Sequence, residues 1–347
     1  MRILAFETSC DDTAVAVTEA GHRVLGHATV SQAQSHSPYG GVVPELAARL
    51  HSLHWRSTVD LALQQASLPL EALDAVAVTA GPGLQTSLLI GTTAAAVIAQ
   101  QLGVPLLPVH HIYGHILSNV CNRPPEEIVF PFLCLTVSGG HTQLHLVRSW
   151  RSIICLGTTL DDAAGECYDK TAKMLGLGYP GGPLVEQYAA LGDPQAYALP
   201  TMLLESSSLD YSFSGLKGAI YRLVTALQVP GEPLPEQTKA DICASLQHRM
   251  QTIFTTKVTR ALERFPEVQQ LHFVGGVSAN KGLQAALQEG ALHCGVPLLT
   301  PKKMLYCTDN AAMIGCSAHW RYLHEGLPLP ATPTVQPLPR WELDKYL

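Results

Sequence analysis

Two distant stretches of the chain follow one pattern, and few folds can hold that pattern twice. Ile3-Leu4-Ala5-Phe6 is an apolar run, Glu7 to Asp12 is a short polar turn, and Thr13-Ala14-Val15-Ala16-Val17 is a second apolar run. Phe132 to Val137, then Ser138-Gly139-Gly140-His141, then Thr142 to Val147 repeat it. Each reads as a β-hairpin, and a repeat of this kind predicts two related halves. Helix- and strand-like material follows each hairpin. The spacing predicts helix over 44–65, a buried strand over 75–79, a small-residue helix over 88–101 and a strand over 105–109. The second half predicts helix over 163–175, looser chain over 192–215, a long helix over 236–265 and a strand over 271–274. Residues 328–339 carry five prolines and read as extended surface wrapping. A length of 347 residues fits two domains at roughly 150 residues each. The expectation is a duplicated α/β fold with a ligand cleft between its halves.

Composition narrows the function classes. Hydrophobic residues make up 47% and charged residues 14%, which supplies large cores and argues against disorder. The formal charge is −6, and no basic run advertises a polyanion partner. Only small clusters occur: Arg49 with Arg56, Lys170 with Lys173, and Lys302 with Lys303. Nine scattered cysteines without a Cys-x-x-Cys pair read as reduced thiols. The N-terminus has neither a signal-peptide core nor transit-peptide character, and no apolar run approaches the roughly 20 residues of a membrane span. A soluble, cytoplasmic protein is expected, with no membrane role.

Three polar turns follow apolar strands, the places where open α/β sheets meet ligands. In Ser138-Gly139-Gly140-His141-Thr142, paired glycines let backbone N–H groups approach an anion; an ordinary hairpin turn would also use them. Gly275-Gly276-Val277-Ser278-Ala279-Asn280 clears space where a helix begins, a natural nucleoside position, although strand-to-helix packing explains it as well. Glu7, Asp11 and Asp12 gather three acids in one turn, a repulsion that a cation would relieve and that solvation would also relieve. His111 and His115 lie four residues apart; on a helix starting near His110 they share one face, as metal ligands do. Such a pair also arises by chance among 15 histidines. Ile-Tyr-Gly lies between them, so the glutamate of a His-Glu-x-x-His protease is missing.

Taken in order, these motifs resemble the TsaD family: tRNA N6-adenosine threonylcarbamoyltransferases, formerly called O-sialoglycoprotein endopeptidases. The resemblance runs over about 3–327. It rests on Glu7 to Thr13, Tyr39-Gly40-Gly41-Val42-Val43-Pro44-Glu45, Gly81-Pro82-Gly83-Leu84, the His111/His115 pair and Ser138 to Thr142. It continues through Asp161-Asp162-Ala163-Ala164-Gly165-Glu166, Asp169-Lys170, Tyr179 to Pro183, Ser212 to Lys217, Gly275 to Asn280 and Cys307-Thr308-Asp309-Asn310. The Tyr39–Glu45 stretch is most similar to the bacterial branch. Tyr168 departs from a common phenylalanine, and the Pro-rich tail is not a family hallmark.

The resemblance implies an actin/hexokinase-like (ASKHA) fold of two RNase H-like subdomains. Subdomain I spans 1–125, completed by about 310–347, and subdomain II spans 126–309. It implies that Asp309 joins His111 and His115 around one iron(II) ion per subunit, with zinc as the other candidate. It places Thr136, Val137, Ser138, Gly139, Gly140, Asp169, Gly182, Glu186 and Asn280 at the adenine nucleotide or threonylcarbamoyl-adenylate. The implied reaction carries the threonylcarbamoyl group from that adenylate to N6 of the adenosine 3′ of the anticodon in tRNAs reading ANN codons, releasing AMP. Asp11 is the candidate to steer or accept the amine proton. The implied partners are tRNA, a TsaB-like paralogue and a TsaE-like ATPase, with Lys170, Lys173, Lys217 and Arg222 as candidate RNA contacts. Two rival readings remain open: an ATP-dependent phosphotransferase of the same superfamily, which has no use for a metal-binding His pair, and a non-catalytic nucleotide-dependent scaffold. A metalloprotease is disfavoured by the missing glutamate.

Overall fold

The computed structural model describes residues 1–204, 207–325 and 334–347. The chain divides into two units. Unit 1 comprises Met1–Val129, Arg148–Ile153 and Pro301–Leu347; unit 2 comprises Phe130–Val147 and Ile154–Thr300.

Unit 1 is built on β1 (Arg2–Glu7), β2 (Asp12–Glu19), β3 (Arg23–Ser31), β4 (Ala75–Gly81) and β5 (Leu106–His110), ordered β3-β2-β1-β4-β5. β1 pairs antiparallel with β2, Phe6 opposite Val15, and parallel with β4, Phe6 opposite Val78. The short α1 (Ala33–His36) leads to α2 (Pro44–Ala66), and α3 (Gln85–Leu102) and α4 (His111–Ile116) follow β4 and β5. Alternation along β1 assigns its two faces. Leu4 and Phe6 join Val15, Val17, Val59, Ala62, Ala95 and Ile98 in one buried core with α2 and α3. Small residues let α3 come close, and a Cβ added at Gly91 would lie 2.1 Å from the Thr8 hydroxyl.

Unit 2 repeats the plan with β6 (Phe132–Val137), β7 (Thr142–Ser149), β8 (Ser152–Thr158), β9 (Gln270–Val274) and β10 (Leu298–Leu299), ordered β10-β9-β6-β7-β8. In each sheet an antiparallel hairpin and its neighbour are extended on the first strand's side by two parallel strands. The repeated hairpin of the sequence is thus the seed of both sheets. Helices α5 (Ala164–Met174), α6 (Gly181–Ala189), α7 (Ser214–Leu227), α8 (Glu236–Arg264) and α9 (Lys281–His293) supply its core, in which Leu135, Tyr168, Phe213, Phe254 and Phe273 are buried. The last helix, α10 (Ala311–Glu325), belongs to unit 1, where it packs on β1 and β2. Of the Pro-rich segment 328–339, residues 328–333 lie outside the described residues; from 334 to 342 the chain is without regular structure. No helix among the described residues is long and apolar enough to cross a membrane.

Candidate metal centre and nucleotide site

The parallel strands of unit 1 deliver their polar residues at their carboxyl ends. β5 ends at His110, whose Nδ1 accepts from the Ile112 amide at 3.2 Å and so caps α4. The first residue of that helix is His111, and His115 follows one turn later on the same face, their rings 4.6 Å apart. Asp309 arrives from the turn before α10. Asn310 fixes that turn: its side chain accepts from the Met313 amide at 2.9 Å and donates to the Thr308 carbonyl at 2.8 Å.

Asp309 Oδ1 lies 3.0 Å from His115 Nε2 and 3.6 Å from His111 Nε2. The three side chains form a group that could hold a metal ion. Two donors on one ion, each about 2.1 Å away in tetrahedral geometry, sit roughly 3.4 Å apart, so these spacings fit a shared ion. All three side chains belong to unit 1. Spacing alone could not have located Asp309, which is far away in sequence.

The acidic turn of the sequence reading comes apart. Glu7 is the last residue of β1, fully buried, and belongs to the histidines rather than to the turn. Its Oε2 lies 3.0 Å from His111 Nδ1 and accepts from the Thr79 hydroxyl at 2.6 Å, while Oε1 accepts from the Ser9 amide at 2.6 Å. A carboxylate on the outer nitrogen of a metal-binding histidine orients the ring so that Nε2 points to the metal. Burial opposes ionisation of both groups, yet each outweighs it for the other. Glu7 is held below the usual carboxylate range, and His111, helped by Asp309, is raised to about 9. Asp12 opens β2 and bonds Ser31; burial, with Asp11, Asp309 and Glu7 nearby, raises its pKa to about 7. Asp11 alone keeps a half-exposed turn position and accepts from the Cys10 thiol. A buried chain of polar contacts backs this turn: His51 bonds the Cys10 carbonyl through Nε2 at 3.0 Å and Thr13 through Nδ1 at 2.7 Å. The period-2 alternation of β1 could have separated Glu7 from the turn residues.

In unit 2, β6 and β9 are parallel neighbours with Thr136 opposite Val274, so the turns that follow them lie side by side. Thr136 and Val137 are buried strand residues. The Ser138 hydroxyl accepts from the His141 amide at 3.1 Å. Gly275 has φ +89, and a Cβ there would lie 2.4 Å from the Val137 carbonyl. By contrast, a Cβ at Gly139, Gly140, Gly182 or Gly276 would meet nothing within 4 Å. Asp169 Oδ1 accepts from the Gly181 amide at 2.8 Å and holds the start of α6; burial raises its pKa. Glu186 accepts from the amides of Lys281 and Gly282 at 2.6 and 3.2 Å, an acid at the positive end of α9. Asn280 caps the same helix, accepting from Leu283 N at 2.8 Å, and exchanges amide hydrogen bonds with Gln247 at 2.9 and 3.0 Å. Gln247, in mid-helix, carried no local signal in the sequence.

Two RNA candidates are exposed on α5, Lys170 and Lys173, and Arg222 is exposed on α7, but Lys217 is committed to an ion pair with Asp162.

The chain matches the TsaD family, described as tRNA N6-adenosine threonylcarbamoyltransferase, over residues 23–316. It is 44% identical to the proteins of that description from Chelativorans sp. (strain BNC1) and Brucella ovis. The matches cover 99% of this chain and 95% and 96% of theirs. Among solved structures, it resembles HypF from T. kodakarensis with a TM-score of 0.61 at 14% identity, covering 96% of this chain and 49% of that one. It also resembles component A of the Acidaminococcus fermentans (R)-2-hydroxyglutaryl-CoA dehydratase, with a TM-score of 0.53 at 12% identity, covering 92% and 98%. The fold is of the actin/hexokinase-like α/β class.

Proposed function

Because this chain belongs to the tRNA N6-adenosine threonylcarbamoyltransferase family, we propose that it moves a threonylcarbamoyl group from threonylcarbamoyl-adenylate to N6 of the adenosine 3′ of the anticodon, in tRNAs reading ANN codons, releasing AMP. The observation that carries this reading is the cluster of His111, His115 and Asp309. A phosphotransferase of the same fold has no use for it.

The two-histidine, one-carboxylate donor set suits iron(II), with zinc as the other candidate. A metal bound there supplies Lewis-acid polarisation of the carbamoyl carbonyl. The remaining work falls to the chain. Glu7 orients His111. Asp11, in the turn after β1, steers or accepts the proton leaving the adenosine amine. The turns at Gly139-Gly140 and Gly275-Gly276, open at each of these glycines except Gly275, let backbone amides approach the adenylate phosphate, and Thr136, Val137, Ser138, Asp169, Gly182, Glu186 and Asn280 shape the rest of its site. The reaction takes place in the cytoplasm on tRNA, with a TsaB-like paralogue and a TsaE-like ATPase as helpers.

The test is reconstituted transfer. Threonine-labelled adenylate, tRNA and this chain with its helpers should place label on tRNA. Label that stays on the adenylate while ATP phosphate is transferred elsewhere would favour the phosphotransferase.

A further inference from the structure

The C-terminal segment ends against the histidine helix, where Tyr346 meets Tyr113 with ring centroids 5.3 Å apart. Its prolines cannot donate to a ladder, so the chain runs extended and bonds at isolated points. The Leu338 amide donates to the Ala80 carbonyl at the end of β4 at 2.7 Å, and the Gly83 amide donates to the Pro339 carbonyl at 3.3 Å. Gly81 makes this approach possible, because a Cβ there would lie 1.9 Å from the Leu338 carbonyl oxygen. Val335 packs on the unit 1 core, and Tyr346 is buried with its carbonyl accepting from Arg321. Between these anchors, the Trp341 carbonyl lies 2.9 Å from His110 Nε2. The rings of Trp341 and Tyr346 lie 5.3 and 5.7 Å from that of His110.

His110 links this segment to α4. Its Nδ1 accepts from the Ile112 amide, so its proton sits on Nε2, the atom facing the Trp341 carbonyl. That carbonyl pins the tautomer which caps the helix bearing His111 and His115. We propose that residues 335–347 form an intramolecular strap that positions the candidate metal ligands, with His110 as the positioning residue and the Trp341 carbonyl as its point of action. The inference rests on the metal reading of His111, His115 and Asp309.

The test uses the full-length chain with Trp341→Ala and Tyr346→Ala combined, and Arg340→Ala, exposed in the same segment, as control. Cobalt(II) affinity should fall about tenfold or more, the usual effect of losing outer support for a metal ligand, and the control should match wild type. In metal-free protein, the nitrogen shifts of His110 should report a single Nε2-protonated tautomer in wild type and a mixture in the double variant. A double variant that melts as cooperatively as wild type and binds cobalt equally well overturns the proposal. If the double variant melts without cooperativity, Trp341→Ala alone is judged by the same two readouts. Failure of the wild type to bind cobalt would sink the metal reading instead, leaving the His110 shifts to decide the strap.

Discussion

At the scale of single residues, the candidate metal centre is a layered arrangement, and its layers have different expected weights. His115→Ala removes a candidate ligand and should abolish most metal binding. Glu7→Gln removes no ligand but offers an amide to a site where the Ser9 amide, the Thr79 hydroxyl and His111 all need an acceptor. Its metal affinity should fall about 10- to 100-fold. Titration with a coloured chelator measures both, and full occupancy in His115→Ala would end the assignment. Gly140 offers a cleaner test of the nucleotide site, because the protein leaves room for a side chain there. Gly140→Val should therefore fold normally while blocking close approach of a phosphate. Unchanged adenine-nucleotide affinity by calorimetry would place the site elsewhere.

At the scale of elements, motif residues of unit 2 also serve the architecture. Asp161 accepts from the hydroxyls of Ser212 and Ser214 and the amides of Phe213 and Ser214, tying a loop to the start of α7. Desolvation works against its charge, but these donors outweigh it and lower its pKa to about 2. A depressed carboxylate stabilises the fold fully above its unfolded pKa, and that contribution is lost as pH falls through the folded value. Asp161→Asn should thus cost about 1 kcal/mol at neutral pH, the size of an exposed helix cap. The gap from wild type should stay constant down to about pH 5 and close between about pH 4 and 2. Denaturant melts across that range would show it, and a gap that widens on acidification would contradict the sign. The same elements explain what could be read in advance. Both hairpins, the long helices and the buried strands were legible because apolar periodicity is a local signal. The partnerships of Asp309 with His115, Glu7 with His111 and Gln247 with Asn280 were not, because each is made by tertiary packing between segments far apart in the chain. Asp309 entered by family resemblance alone.

At the scale of the whole molecule, charge and substrate pull in opposite directions. With a formal charge of −6, the chain alone should bind tRNA weakly. The slope of log affinity against log salt should be shallow, at roughly −0.7 to −0.9 per phosphate neutralised. Lys217 adds little to it, being paired with Asp162. Affinity should rise when helper proteins add positive surface, and tight, steeply salt-dependent binding by the chain alone would show that its surface had been misread. The central claim is that this chain, with a candidate metal centre in unit 1 and a candidate adenylate site in unit 2, modifies tRNA. Nucleoside analysis of tRNA from cells depleted of this protein, and then resupplied with variants, tests it most directly. Depletion should remove threonylcarbamoyladenosine, wild type should restore it, and His115→Ala and Gly140→Val should each fail to do so. Undiminished threonylcarbamoyladenosine in depleted cells, or full restoration by His115→Ala, would contradict the account.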